Sequence, residues 1–341
     1  MELWIALLNS LSYGLLLFML SAGLTLILSL MGVLNFAHAG FYMLGAYLGY
    51  GLTRQWGFAV ALVGVPLLVG VVGAAVERWV LRRVRPQGHV AELLVTVGVA
   101  YVLIEAVQLG WGRAPLPFEP PPFLQGPAFA WAQIPGQGVQ WLSAQQATAS
   151  CASVVAQGGR CDPFPATRAF IILCALISLG AVAACLRWSR WGLILQGSLT
   201  HPHMMQALGH NVPRVFTLTF AAGSALAGLA GLLSGMSLVT EPGMAASVGS
   251  LLFVVIIVGG LGSLAGAWWA SLALGALHTL PIGINAPVLS VLGITEPRVL
   301  AALPPDWTSL TVSQVAPLLP FILLIVVLAW RPRGLMGRRD T

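Results

Sequence analysis

Apolar runs of roughly twenty residues, each about long enough to cross a hydrocarbon core as a helix, recur along the whole chain with short polar breaks between them. Leu7 to Leu30 is the first and predicts a tilted span, with Gly14 and Gly23 as close-packing positions. A second run, Asn35 to Leu52, follows after only a few residues, so it is either a tight hairpin or a broken helix. Further spans are predicted at Phe58 to Val80, Ala91 to Trp111, Ala169 to Leu186 and Val215 to Leu238. Pro66 in the third is tolerable where neighbouring groups re-satisfy the freed carbonyl. Ala245 to Leu280 is too long for one span. The sequence GGLGSLAG interrupts it at Gly259 to Gly266, which predicts two short helices. A last run covers Ala316 to Trp330.

The arginines give the runs an orientation. Arg78, Arg82, Arg83 and Arg85 follow the third span, Arg187 and Arg190 follow the fifth, and the chain ends in RPRGLMGRRD. Basic residues mark the cytoplasmic side. Parity between the turn at Glu241 and this basic end requires an odd number of crossings, which yields nine helices with the N-terminus outside. If one broken segment, near 35–52 or 245–280, is re-entrant, the count is eight. The expected fold is an all-α polytopic membrane protein of about 8–9 transmembrane helices, one domain over 1–341. External loops are expected at 112–167 and 281–315, and a cytoplasmic segment at 188–213.

Composition agrees with this and narrows the function. The chain is 58% hydrophobic and 8% charged, where a soluble domain carries about 25% charge. The net charge of +6 lies in short loops and at the C-terminus, so it reads as a topology signal and not as a nucleic-acid surface. The start, MELWIALLNS, lacks the basic region and small-residue cleavage site of a secretory signal, so the first run is expected to be retained. No GxxxxGK[ST] motif is present, so any driving energy must come from a gradient or a partner.

Few residues carry candidate chemistry. Asn35 and His38 are three apart and share a helix face in a stretch of Gly, Ala, Leu, Phe and Tyr. Polar groups in hydrocarbon need partners, and they usually face a bundle interior or a pathway. His38 is equally well read as a packing histidine bonded to a carbonyl. Glu105 lies within the fourth span, either as an interfacial partner of Arg113 or as part of a pathway. Cys151 and Cys161 are the pair of cysteines in the outer loop, where an oxidising compartment permits a disulfide. The segment WGLILQGSLTHPHMMQALGHNVPRV is a connector, or a short helix with small residues that docks on a soluble partner. His201, His203 and His210 have no nearby carboxylate or cysteine to complete a metal site, so no metal and no enzyme is expected. LNFAHAGFYMLGAY and TEPGMAASVGSLLFVVIIVGG both place polar and small residues before an apolar run, a faint echo of paired broken helices.

Five stretches in this order resemble a known family: GVLNFAHAGFYMLGAY, ELLVTVGVA, QGSLTHPHMMQALGHNVPRV, FVVIIVGGLGSLAGAWWASLALG and WRPRGLMG. The chain is similar to the permease subunits of ABC importers for branched-chain amino acids, the LivH type. The resemblance implies alternating access in the inner (plasma) membrane. It implies a second related permease chain, two ATP-binding subunits, a soluble substrate-binding protein and surrounding lipid, with no nucleic acid. No cofactor is expected in this chain, ATP being used by the partners. By resemblance Asn35 and His38 lie near the substrate pathway, with Thr96, Gly98 and Glu105. Gly197, Thr200, Ala207, Leu208, Gly209 and Asn211 fall where the family couples to its ATPases. Gln196, Gly197, Thr200 and His201 depart from the family's arginine-alanine-acidic pattern, which implies a less acidic contact. The alternatives are a urea or short-chain amide permease of the same family, or a passive small-solute channel. An ion-coupled carrier is disfavoured, since Glu105 is the one intramembrane acid and Glu77 and Glu92 lie at cytoplasmic ends.

Overall fold

The computed structural model describes residues 2–32, 34–134, 138–291, 293, 304 and 308–337. Its helices are α1 (Glu2–Met31), α2 (Ala37–Trp56), α3 (Phe58–Val76), α4 (His89–Trp111), α5 (Ala144–Ala156) and α6 (Ala166–Trp188). They continue as α7 (Arg190–Thr200), α8 (Pro202–Ala207), α9 (Val212–Gly235), α10 (Met244–Gly259), α11 (Leu264–Thr279) and α12 (Leu319–Trp330). Among the described residues, six stretches are long and apolar enough to cross a membrane: Leu3–Ser29, Phe58–Gln87, His89–Trp111, Ala166–Trp188, Val212–Gly235 and Val312–Trp330. Met244–Gly259 is a shorter apolar helix. The chain is a polytopic helical membrane protein.

The axis of the bundle is α1, whose apolar window is 83% buried against 17% for α6 and for the span ending at Trp330. Residues Ala37 to Met43 of α2 are all buried, so that helix is enclosed on every face. Close approach depends on glycine. Gly14 faces Gly275 across α1 and α11, Gly23 faces Gly223 across α1 and α9, and Gly45 faces Gly228 across α2 and α9. Without hydrophobic attraction between helices in lipid, such backbone contact is what association rests on. The outward faces of α3, α4, α6 and α12 present Val63, Leu67, Leu94, Val102, Ile177 and Ile325 to the surroundings.

Contacts fix the direction of each helix. The end of α1 meets the turn between α10 and α11, where Ser29 donates to the Gly262 carbonyl at 3.2 Å. The C-terminal stretch RPRGLMG joins the same end, with Leu335 N–H donating to Val258 O at 2.8 Å. Arg82 donates to Pro213 O at 2.9 Å beside the start of α9. The arginine-bearing turns therefore gather at one end, which the positive-inside rule assigns to the cytoplasm.

Two helices start part-way through the bundle. His38, at the start of α2, bonds to Leu20 of α1, eleven residues before α1 ends at Met31. At 1.5 Å per residue, α2 begins about 16 Å above the inner end of α1. Residues 32 and 34–36, which are non-helical, span that depth. The reverse happens between α9 and α10. Gly249 of α10 packs on Ala39, at the same depth as His38, yet α10 starts only five residues earlier, at Met244. It begins about 8 Å above that level. The break between α1 and α2 is thus entered from the inner side, and the break between α9 and α10 from the outer side.

The outer segment at 112–167 is folded. Strands β1 (Pro127–Ile134), β2 (Gly138–Ser143) and β3 (Arg160–Pro165) form an antiparallel sheet in the order β2-β1-β3. Helix α5 covers one face over Ala130, Ala132, Leu142, Ala147 and Val154. A disulfide joins Cys151 of α5 to Cys161 of β3. This sheet adds to the all-helical expectation, which holds for the membrane part. Of the outer segment 281–315, Pro287 bridges Thr311, while 292, 294–303 and 305–307 lie outside the described residues.

Candidate functional site

The start of α2 brings three of the expected residues together. Gly32, with φ +69, ends α1 in a conformation that favours glycine. Asn35 Oδ1 accepts from Ala37 N–H at 3.1 Å and its carbonyl accepts from His38 N–H at 3.3 Å. Phe36 N–H donates to Thr96 Oγ1 at 3.2 Å, and the Thr96 hydroxyl donates to Leu93 O at 2.7 Å. Thr96 therefore does both jobs: it bonds its own helix and holds the loop before α2. The Phe36 ring packs on Phe253 of α10 at 4.6 Å between centroids.

His38 Nε2 lies 3.0 Å from Leu20 O. A carbonyl only accepts, so Nε2 carries the hydrogen and Nδ1 is left as an acceptor. Nδ1 of His38 and Nδ2 of Asn35 are both buried without a hydrogen-bond partner among the described residues. The site thus holds one unmatched acceptor and one unmatched donor, each costing about 1–3 kcal/mol while unmet. Non-helical backbone at this depth is found where it lines a cavity or is enclosed by protein.

Gly98 and Glu105 are not part of this cluster. Both are exposed on the outer flank of α4, and nothing lies within 4 Å of a Cβ built on Gly98. Thr96 and Gly98 are two apart, so a helix turns them to different faces. No ion pair joins Glu105 to Arg113 among the described residues.

The segment 188–213 forms α7 and α8, beneath the bundle. Ser189 caps α7 by accepting from Gly192 N–H at 3.1 Å. Gly197 packs on Met205 of α8, where a Cβ would meet the sulfur at 2.7 Å. It is therefore a packing residue within the segment. Thr200, Ala207, Leu208, Gly209 and Asn211 are exposed. Gly209 has φ +83, which ends α8. Asn211 caps α9, its Oδ1 accepting from Arg214 N–H at 3.1 Å. Met204 and Leu208 leave an apolar tip, 64% and 68% exposed.

One cluster was not anticipated. Glu77 is fully buried at the head of a π-helical turn, Glu77–Leu81, that follows α3. Its carboxylate meets Arg82 at 3.1 Å and Arg85 at 3.6 Å, and Arg85 meets Glu92 of α4 at 3.8 Å. Thr217 of α9 donates to Glu77 Oε2 at 2.5 Å. The Arg85 guanidinium lies 4.8 Å over the Phe216 ring. Read as a sequence, these arginines are topology signals. The signal that pointed further was a glutamate inside the run, five residues before Arg82. At the inner end of α1 a cavity of about 900 Å³ opens, lined among others by Thr25, Ser29, Gln196, Thr200, Ser263 and Arg333.

The family described as "branched-chain amino acid transport system / permease component" matches residues 6–328. The chain is 25% identical over 333 residues to the high-affinity branched-chain amino acid transport system permease protein LivH of Salmonella typhimurium, covering 94% of this chain and 91% of that one. LivH of Escherichia coli K12 gives the same identity and coverage. BraD of Pseudomonas aeruginosa, named as a permease protein of the same kind of system, is 24% identical over 98% of this chain and 95% of its own length. No solved structure matches the chain. With an enclosed broken helix, polytopic architecture and a family match across nearly its whole length, this chain is a transport permease, not an enzyme, and belongs to the branched-chain amino acid transport permease family.

Proposed function

We propose that this chain is the permease subunit of an inner-membrane ABC importer that moves branched-chain or other small amino acids by alternating access. The observation that carries this is the start of α2 at mid-depth, with Asn35 Nδ2 and His38 Nδ1 buried and unmatched. An unmatched donor and an unmatched acceptor at the same helix start suit a small polar solute that passes through and does not stay. Thr96 positions them by holding Phe36. Gly98 and Glu105, on the open flank of α4, suit the face where a second permease chain completes the pathway. Lipid covers the remaining apolar flanks. Two ATP-binding subunits dock on α7 and α8 through Thr200, Ala207, Leu208, Gly209 and Asn211, and ATP stays with them. A soluble binding protein delivers solute to the outer face, where the folded segment at 112–167 stands. The relatives named for branched-chain amino acid transport support the substrate class.

Transport requires only that solute and ATP favour different states of the complex. A uniformly tight site would hold the solute in place. The neutral Asn35–His38 pair also suits urea or a short amide, so the test compares both classes. The complex is reconstituted in liposomes and offered radiolabelled leucine, isoleucine and valine, and then urea and acetamide. ATP-dependent uptake of the amino acids supports the reading. ATP-dependent uptake of urea or acetamide alone moves the substrate, and flux without ATP replaces the importer with a channel.

A further inference from the structure

Resting on the importer reading, we propose that the buried Glu77 carboxylate is a positioning residue that ties the cytoplasmic segment to the broken start of α2. The contacts form a continuous chain. Asn211 and Pro213 follow directly on α8 and open α9. Arg82 holds Pro213 O at 2.9 Å and Thr217 Oγ1 at 2.6 Å. Glu77 binds Arg82, Arg85 and Thr217 together. Arg85 passes the contact to Glu92 on α4. Thr96 stands one helical turn above Glu92 on the same face, and it holds Phe36 N–H, the residue before α2. A displacement of α7 and α8 at one end is thus joined, through polar bonds and one rigid turn of α4, to the loop beneath Asn35 and His38 at the other.

Two features separate this cluster from an ordinary topology anchor. An anchor sits at the interface, whereas Glu77 is wholly buried and is paired with Arg82 and Arg85 from the turn that follows α3 and with Thr217 from α9. The cluster also sits on a π-helical turn, an extra residue in the helix of the kind that recurs at functional sites. Such a turn can shift the register between α3 and the arginines without unfolding either.

The experiment uses the complete complex with its partner permease, ATPases and binding protein in liposomes, with radiolabelled leucine outside. The readout of coupling is the stimulation of ATP hydrolysis inside by loaded binding protein outside, measured as one end's effect on the other. Two variants are compared with the wild type. Glu77→Gln removes the charge at the centre. Glu92→Gln cuts the step from Arg85 to α4 and leaves Glu77 paired. The expected result is normal co-purification of the ATPases and basal hydrolysis close to wild type, with stimulation by the binding protein and leucine uptake per ATP lowered about tenfold, within the range for such coupling. Glu77→Asp should restore part of both. A merely structural role would lower assembly and leave the ratio of stimulated to basal hydrolysis unchanged in what remains. If either variant assembles and keeps wild-type stimulation, the proposal is overturned. Should Glu77→Gln fail to assemble, Glu92→Gln decides alone. If the wild-type complex shows no ATP-driven uptake of leucine or any other offered solute, the importer reading falls first and this joint falls with it.

Discussion

Two glycine-to-alanine changes in this bundle should move stability in opposite directions. At Gly23, α1 crosses α9. A Cβ there would stand 2.5 Å from Gly223 O and 3.1 Å from His38 Cε1. A methyl carbon needs about 3.5 Å to a heavy neighbour, so the helices must part by about 1 Å. Gly223 offers no relief, since its own face already meets Ile27 and the Gly23 carbonyl. Overpacking of this kind costs about 1–3 kcal/mol. Displacing His38 also stretches its 3.0 Å bond to Leu20 O, a loss of about 0.5–1.5 kcal/mol. Alanine returns about 1 kcal/mol of helix propensity. The net is a loss of about 2 kcal/mol. Gly98 lies in a helix with nothing within 4 Å of a Cβ, so Gly98→Ala keeps the propensity gain of about 1 kcal/mol and meets no clash.

For a chain of this size a kilocalorie moves the melting midpoint by roughly 2 °C. Gly23→Ala should therefore melt about 4 °C below the wild type and Gly98→Ala about 2 °C above it. The assay is size-exclusion recovery after heating in mild detergent, with all three proteins at one concentration. If Gly23→Ala melts at or above the wild type, the α1–α9 crossing is not the close contact described. If Gly98→Ala falls below it, that position is not open.

Other changes test separate contacts. Tyr42→Phe removes the bond from the buried hydroxyl to Ser234 Oγ and should cost about 1 kcal/mol, read from the same heating curve. Thr96→Val keeps the volume but strips the acceptor from Phe36 N–H; uptake should fall while the amount of protein in the membrane stays the same. Leu208→Arg places a charge on an exposed apolar tip, and the expected outcome is loss of ATPase co-purification with an unchanged melting midpoint. Cys151→Ser opens the disulfide to Cys161, a crosslink closing a short loop and worth about 3 kcal/mol. Limited proteolysis should then cut within 138–165 while the membrane helices resist.

The helices were legible because hydrocarbon imposes a length and an apolar face on any segment that spans it. The expected spans at Ala91 to Trp111 and Val215 to Leu238 differ from α4 and α9 by only a few residues at each end. The break at Gly259 to Gly266 was legible too, since positive φ at Gly260 and Gly262 needs glycine. Depth was not legible. Nothing in LNFAH says that the chain climbs from the inner end of α1 to the level of Leu20, because that level is set by what α9 and α10 leave room for. Facing was legible only in part. Thr96 and Gly98 stood together in the sequence reading and fall on different sides of α4. The sheet at 127–165 escaped notice because β1 alternates weakly, PAFAWAQI, and follows a proline-rich stretch. Its Trp131 and Trp141 face each other only once β1 and β2 are paired.

The faint echo between LNFAHAGFYMLGAY and TEPGMAASVGSLLFVVIIVGG acquires a physical meaning from direction. After α1 runs inward, the chain re-enters from the inner side to start α2. After α9 runs outward, it re-enters from the outer side to start α10. The two starts approach each other at the Phe36–Phe253 and Ala39–Gly249 contacts. Two inverted breaks around one point are what a pathway opening to either side requires. They also explain why the unmatched atoms sit where they do. The His38 ring is pinned to α1 through Leu20, so Nδ1 cannot find a partner by rotating the side chain. It gains one only if α1 and α2 slide, or if water or a solute arrives. The same holds for Asn35 Nδ2, since its Oδ1 is committed to Ala37. The arrangement described here thus carries a cost that one with both atoms met does not. On the importer reading proposed above, energy delivered at α7 and α8 would then have only to tip a balance set at the start of α2.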